Sequence, residues 1–105
     1  MNDDIIYEVI VSDAAFAMLD SHIEFLARVN IQAAANLMDE ILGDIDSLSQ
    51  FPERFPFYES EFIPECRYRR MVSTKRYLIL YEIDGQNVCV DYIVDCRQDY
   101  EWLLL

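Results

Sequence analysis

Glycine, proline, histidine and cysteine are all scarce in this chain of 105 residues. It contains two glycines, three prolines, three cysteines and one histidine. So few glycines and prolines exclude collagen-like and low-complexity architectures. The cysteines Cys66, Cys89 and Cys96 have no CxxC spacing and no fourth ligand nearby in the sequence, so a zinc site is not expected. We therefore expect reduced thiols, no metal and no cofactor.

Long apolar runs are also missing. No run approaches the roughly 20 residues that a membrane helix needs, and the N-terminal residues 1–4 lack the basic region of a secretory signal. These absences predict a cytoplasmic protein without a membrane partner. The 53% of hydrophobic and 27% of charged residues are typical of a packed globule. The length predicts a single domain over residues 1–105.

Positive charge is scarce in the whole chain but concentrated in one segment. Twenty acids and eight bases give a formal net charge of −12. Since phosphate contacts need Lys and Arg, we do not expect non-specific binding of nucleic acid by so acidic a chain. Residues 67–76 nevertheless carry five bases and no acid, which leaves −17 on the rest of the chain. We call these five residues the basic strip: Arg67, Arg69, Arg70, Lys75 and Arg76.

The N-terminal half reads as a strand followed by two helices. Residues 5–11 form a short β-branched run, which predicts a strand, and Ser12 is a suitable helix N-cap. Apolar residues at spacings of three and four then predict one helix from Asp13 to about residue 28–30. The same spacing predicts a second helix over residues 31–50. A short turn between them predicts an antiparallel hairpin.

The C-terminal half reads as a loop followed by a small sheet. Residues 51–65 hold all three prolines and five aromatics, which predicts a loop packed down through its aromatic side chains. Three strands and a short final helix are predicted at residues 66–73, 76–84, 87–95 and 99–104. The fold class is therefore α+β. It comprises an N-terminal strand, an antiparallel two-helix hairpin on one face of a mostly antiparallel sheet of about four strands, and a short C-terminal helix.

Alternation along each predicted strand assigns the two faces of the sheet. The purely apolar sets, among them Val88, Val90, Tyr92 and Val94, should face the helices. The opposite face should be open and carry an exposed apolar patch of Leu78, Leu80 and Ile93, which is typical of an interaction site. We expect Arg67 and Arg69 on this open face and Arg70 on the other. The open face should also carry four carboxylates, from Glu8, Glu82, Asp91 and Asp95.

Several strings resemble, in order and spacing, the RelE/ParE toxin superfamily of bacterial type II toxin–antitoxin systems, which includes plasmid stabilization proteins. The similar strings are Tyr7 to Ser12, Leu48 to Pro56, Tyr68 to Val72, Tyr77 to Asp84, and Ile93 to Tyr100. The resemblance covers about residues 5–104 and implies the RelE/ParE fold and a cognate antitoxin as partner. In such complexes the antitoxin wraps the toxin. This implies partner-binding roles for Arg69, Arg70, Leu78, Leu80, Ile93 and Arg97.

One branch of the superfamily, the RelE-like members, consists of ribosome-dependent mRNA endonucleases. Such chemistry needs an acid, a base and cations at the scissile phosphate. The resemblance implies these candidates: Arg67, Arg69, Arg76 and Arg97 for phosphate contacts, with Tyr77 or Tyr100 as the acid. Two departures weaken this interpretation. Leu78 stands where the family carries a basic residue, and Asp95, where some members carry His, would repel the phosphate.

The other branch, the ParE-like members, inhibits DNA gyrase by binding. The string from Tyr77 to Tyr81 resembles their central strand more closely, and the departures above do not affect a binding function. The leading hypothesis is thus a ParE-like toxin that binds a macromolecular target, with gyrase as the candidate, and is neutralised by an antitoxin. An mRNA endonuclease is the alternative, so the sequence leans against an enzyme without deciding. A degenerate toxin or non-toxic interaction module is a further alternative.

Overall fold

The computed structural model describes residues 5–96, which form one strand, two helices and then three further strands. Strand β1 spans Glu8–Val11 and is followed by the helices α1, Asp13–Ala27, and α2, Ile31–Asp46. Strands β2, β3 and β4 span Arg69–Ser73, Tyr77–Asp84 and Asn87–Asp95. The predicted element order and the α+β class are confirmed. The predicted C-terminal helix at 99–104 lies outside the described residues.

Polar side chains define where both helices begin. Ser12 Oγ accepts a hydrogen bond of 3.0 Å from the backbone N–H of Ala15, so the predicted N-cap of α1 is confirmed. Asn30 Oδ1 accepts an equivalent bond of 3.0 Å from Ala33 at the start of α2. The second helix ends at Asp46, earlier than the predicted residue 50, and a 3₁₀ turn continues over Ser47–Ser49.

The sheet is mixed, with the strand order β1-β4-β3-β2. The pairs β2–β3 and β3–β4 are antiparallel hairpins, whereas β1 runs parallel to β4 at one edge. Both helices and the strands β2 and β3 separate β1 from β4 in the chain, and a connection of this length allows two neighbouring strands to run parallel. The helices cover one face, and we call the opposite side the outer face.

The main core lies between the helices and the sheet. Its middle consists of Leu19 and Ile41 from the helices and Ile79 from β3, which are all fully buried. Burial of one such side chain contributes roughly 1.5–3 kcal/mol. The other buried members are Ala15, Ile45, Leu48, Met71, Tyr77, Tyr81, Val88, Val90 and Ile93.

A β-bulge in β4 overturns part of the predicted face assignment. Tyr81 pairs with Val90 but Leu80 pairs with Tyr92, so Asp91 is an extra residue in β4. The alternation restarts after the bulge, because one inserted residue moves every later side chain to the other face. Ile93 consequently lies in the main core, and its predicted place in an open patch is wrong. Tyr92 and Val94, predicted to face the helices, point to the outer face instead.

Candidate interaction surface

The outer face is covered in part by the chain itself. Leu78 and Leu80 are 3% and 1% exposed, and with Tyr68 and Val94 they form a second buried cluster. Tyr58 and Ile63 pack against this cluster. We call residues 55–68 the cover segment. The predicted open patch of Leu78, Leu80 and Ile93 is therefore wrong as a surface, because the aromatic loop folds back over the sheet.

Three hydrogen bonds order the cover segment, one within it and two to the strands of the sheet. The backbone N–H of Tyr58 donates to the carbonyl of Tyr68 at 2.7 Å, and the N–H of Arg70 donates to Pro56 at 2.9 Å. The Tyr68 hydroxyl donates to Asp91 Oδ2 at 2.6 Å. Burial raises the pKa of Tyr68 well above its usual range, and the hydrogen bond to the Asp91 carboxylate raises it further. The bulge residue thus anchors the cover segment.

Arg67 lies on the outer face, as predicted, but as a weak ion-pair partner. Its Nε is 3.6 Å from Glu82 Oε2, and its guanidinium lies 5.1 Å from the centre of the Tyr68 ring. The Arg67 side chain is 48% exposed, so solvent screens the pair and its contribution is small. Arg67 and Glu82 therefore form a weak surface ion pair and not a site.

Arg69 lies on the helix-facing side, so its predicted place on the outer face is wrong. It pairs with Tyr81 across the β2–β3 ladder, and opposed residues share a face. Its Nη1 donates to the carbonyl oxygens of Glu53 at 3.0 Å and Phe55 at 2.7 Å. The guanidinium lies 4.0 Å from the centre of the Phe57 ring. Arg69 thus ties the start of the cover segment to β2.

Arg70 is exposed on the outer face of the edge strand β2, although the sequence predicted the other face for it. Val72 lies two residues along on the same face and is 52% exposed. Lys75 follows at the exposed tip of the β2–β3 turn. Among the predicted partner-binding residues within 5–96, Arg70 is therefore the one whose side chain is exposed to a partner. Arg97 lies outside the described residues. Sequence reasoning missed Val72, whose only signal was its alternation with Arg70.

The other end of β3 carries a separate group of polar residues. Arg76 Nε is 3.6 Å from Asp95 Oδ2, and Asp95 is buried on the helix side instead of on the predicted outer face. Tyr77 is only 2% exposed. His22 Nε2 donates to the Ile93 carbonyl at 3.2 Å, where β4 extends beyond the end of β1. His22 therefore caps a free edge of the sheet.

The candidate catalytic residues of the nuclease hypothesis fall at two separate places. Arg67 and Arg69 lie near Tyr81, whereas Arg76 adjoins Tyr77, and four residues of strand correspond to roughly 13 Å. Arg97 and Tyr100 lie outside the described residues.

Within residues 5–96, no cluster of three or more His, Cys, Asp or Glu side chains is placed to hold a metal. No helix in that range is long and apolar enough to cross a membrane.

The same fold occurs in a solved toxin–antitoxin structure. A chain from the "Chromosomal ParDE TA system from P. aeruginosa" superposes with a TM-score of 0.73 at 15% sequence identity, covering 88% of this chain and 98% of that chain. At this identity the likeness shows the fold alone. No curated protein sequence matches the chain significantly.

A family comparison goes further than the fold. The family described as "ParE toxin of type II toxin-antitoxin system, parDE" matches residues 9–100. The chain therefore belongs to the ParE toxin family of type II toxin–antitoxin systems. The resemblance seen in the sequence, including its ParE-like side, is confirmed.

Proposed function

We propose that this toxin acts by binding DNA gyrase and that a cognate antitoxin neutralises it by binding over the toxin. Membership of the ParE family supports a toxin role. The fold shared with a ParDE system supports an antitoxin as partner.

The main support for action by binding, and not by catalysis, is that candidate catalytic residues have structural roles in the fold. Arg69 satisfies two backbone carbonyls, and the Tyr77 ring is buried in the main core. Arg76 lies beside a buried carboxylate, that of Asp95, which would oppose a phosphate at this position. These arginines and the tyrosine hold the molecule together, whereas a nuclease needs them to converge on one phosphate.

The exposed side chains of β2 on the outer face are the contact surface that the proposal favours. Arg70 and Val72 project from this face, and Lys75 extends the positive charge to the turn. Arg97 stays in the proposal as a further contact, as the family resemblance implies. A cationic rim around one apolar side chain fits an acidic protein surface, since charge complementarity steers such encounters.

The direct test is a supercoiling assay with purified gyrase and purified toxin. We expect inhibition by the wild type, relief on adding the cognate antitoxin, and clearly weaker inhibition by Arg70→Glu. Arg28→Glu is the matched control, because Arg28 is also exposed but lies at the helix–helix turn. It should inhibit like the wild type.

Two results would overturn the proposal. Cleavage of ribosome-bound message by the purified toxin, without any effect on supercoiling, would establish the RelE-like nuclease alternative. Expression without an antitoxin that leaves growth and supercoiling unaffected would establish a degenerate toxin or interaction module. Equal inhibition by the wild type and Arg70→Glu would keep gyrase as the target but reject the outer face of β2 as its contact.

A further inference from the structure

A small cavity lies where the cover segment joins the sheet, and we call it the corner cavity. Its volume is about 280 Å³. Small-molecule sites usually measure roughly 300–1,000 Å³, so this one has room for a ligand of only a few carbon atoms. Its walls come from the cover segment, from the 3₁₀ turn Pro52–Arg54, from β2 and from β3. They are Glu53, Phe57, Cys66, Arg67, Arg69 and Ile83.

The fold brings two guanidinium groups and two apolar side chains to this cavity. Arg69 is the first residue of β2, and Arg67 precedes it in the cover segment. An isolated β-bridge pairs Phe57 with Arg69, and Ile83 comes from the end of β3. Apolar walls with a few polar groups are the usual composition of a small-molecule site.

Arg69 is a cation without an acidic partner in a strongly acidic molecule. Within residues 5–96 no ion pair involves it, and its Nη1 donates to the carbonyls of Glu53 and Phe55. Its Nε and Nη2 donate to none of the described residues. Both atoms are open to solvent, since the buried side-chain nitrogen and oxygen atoms that lack a partner belong to Thr74 and Arg76. Nε and Nη2 form one side of the planar guanidinium fork, which can hold both oxygens of a carboxylate.

The chain's own carboxylates leave this positive charge largely uncompensated. Glu53 lines the cavity, but its Oε2 accepts a hydrogen bond of 3.3 Å from the Tyr7 hydroxyl and it forms no ion pair with either arginine. Glu82 reaches only Nε of Arg67, at 3.6 Å, in an exposed and therefore weak pair. A carboxylate that enters from solvent thus gains attraction from two guanidinium groups without displacing a strong partner.

We propose that the corner cavity binds a carboxylate carried on a short apolar stem. The carboxylate pairs with Nε and Nη2 of Arg69 and is attracted by Arg67, while the stem contacts Phe57 and Ile83. A single negative charge suits the cavity, because the rest of the chain is strongly acidic and repels a multiply charged anion. A free small carboxylic acid and a glutamate side chain of another protein share this chemistry.

Butyrate and its neutral twin, butyramide, are the probes for NMR titrations of the full-length toxin. We expect butyrate to shift the backbone amide signals of Phe57, Arg69 and Ile83 with a dissociation constant on the order of 1 mM, since so small a ligand makes few contacts. Butyramide should cause no saturable shift there. Acetate, which lacks most of the apolar stem, should bind more weakly than butyrate. Equal binding of butyrate and butyramide would overturn the proposal.

Two variants of equal net charge test the position of the site. Arg67→Gln should weaken butyrate binding about threefold, the effect of one exposed charge pair. Arg28→Gln removes a remote exposed charge and should bind butyrate like the wild type. If Arg67→Gln binds butyrate no more weakly than Arg28→Gln, the corner cavity is not the site.

A third variant tests the guanidinium fork. Arg69→Lys keeps the charge but loses the planar fork, so it should weaken butyrate binding more than Arg67→Gln does. Urea unfolding checks that each variant retains the fold. The comparison of Arg67→Gln with Arg28→Gln decides the outcome if Arg69→Lys is too unstable for titration.

Cys66 provides an independent measurement, because it lines the cavity and is exposed. Cys96 is also exposed, but it follows Asp95. The quantity compared is the ratio of alkylation rates with anionic iodoacetate and neutral iodoacetamide, which depends on the charge near each thiol and not on its pKa. The ratio should be higher at Cys66 than at Cys96, and butyrate should slow alkylation at Cys66 alone. Equal ratios at the two cysteines would contradict an anion site at the cavity.

A short peptide distinguishes the two sources of the carboxylate. The peptide N-acetyl-Ala-Glu-Ala-amide presents the carboxylate on a glutamate side chain. If it shifts the same signals as strongly as butyrate does, a glutamate of a protein partner fits the cavity. If only butyrate does so, the ligand is a free small acid. Both results support the site, and failure to inhibit gyrase does not affect either, because the titrations contain the toxin alone.

Discussion

At the residue scale, two buried tyrosine hydroxyls connect the loop after the helices to the sheet. Tyr68 donates to Asp91 on the outer face, and Tyr81 donates to the Pro52 carbonyl at 2.5 Å on the helix side. Burial raises the pKa of Tyr81 to about 12. Both phenols must therefore stay protonated in the folded state, and both hydrogen bonds depend on that proton.

The first prediction concerns alkaline pH. Because the folded-state pKa of Tyr81 is raised above the unfolded value of 10, its contribution is complete below pH 10 and is lost as the pH rises through about 12. The wild type should therefore lose stability between pH 9 and 11.5 more steeply than Tyr81→Phe. At pH 7, Tyr81→Phe should be less stable by about 1–2 kcal/mol, since the Pro52 carbonyl loses its donor. Urea unfolding at each pH measures both effects, and parallel pH profiles would contradict the assignment.

A second prediction separates two neighbouring arginines. Arg69→Ala should lower the free energy of unfolding by about 1–3 kcal/mol, because two carbonyls lose a charged donor and Phe57 loses its stacked guanidinium. Arg69→Lys should recover only part of this, since an ammonium does not provide the planar fork of a guanidinium. Arg70→Ala, one residue along the strand and exposed, is the control and should change stability by less than about 0.5 kcal/mol. Equal effects at the two positions would refute the structural role of Arg69.

At the scale of elements, the two β-hairpin turns place different residue types at positive φ. The β3–β4 turn places Gly85 at φ 61°, where glycine has no steric penalty. The β2–β3 turn places Thr74 at 56° and Lys75 at 64°. Positive φ at both central residues is the type I′ pattern that Asn-Gly favours, and a β-branched residue there is strained. Thr74 Oγ1 is also buried without a hydrogen-bond partner among the described residues.

This contrast predicts opposite effects of two turn variants. Thr74→Asn/Lys75→Gly should raise the free energy of unfolding by about 1–2 kcal/mol, because the left-handed conformation costs these residues less. Gly85→Ala should lower it by about 1 kcal/mol through the backbone alone, since an added Cβ meets no atom within 4 Å. Thermal and urea unfolding provide the measurement. A destabilised Thr74→Asn/Lys75→Gly variant would show that the native turn is not strained.

The bulge in β4 is the element that decides which residues form surfaces. It buries Ile93 and Asp95 on the helix side and leaves Asp91 and Tyr92 together on the outer face, where Asp91 holds Tyr68. Alternation alone predicts the first half of β4 correctly and the second half incorrectly. A single inserted residue has this effect because side chains in a strand repeat with a period of two.

At the scale of the whole molecule, negative charge dominates the electrostatics. Within residues 5–96, the ion pairs Arg67–Glu82 and Arg76–Asp95 offset only a small part of the negative charge, since the formal net charge of the chain is −12. Salt weakens both the attractions and the overall repulsion, and with an imbalance this large we expect the loss of repulsion to prevail.

The fourth prediction follows from this imbalance. Raising NaCl from 0.02 to 0.3 M should increase the free energy of unfolding in urea by about 1 kcal/mol, because self-repulsion in the folded state is screened. Glu59→Gln/Glu65→Gln, with less net charge, should show a smaller increase. A stability that falls with added NaCl would mean that the local ion pairs outweigh the net repulsion.

The element order could be predicted from the amino-acid sequence, because periodicity, helix caps and turn residues are local signals. The quoted strings also resembled the family to which the chain belongs. The cap at Ser12 and the turn at Gly85 are examples that need no tertiary context. Which residues are accessible became known only from the packing of the folded chain. Whether Leu80 is open or covered depends on a segment distant in the chain, and the face of Ile93 depends on one unpaired residue in β4. Accessibility is a property of packing between segments, which no local pattern encodes.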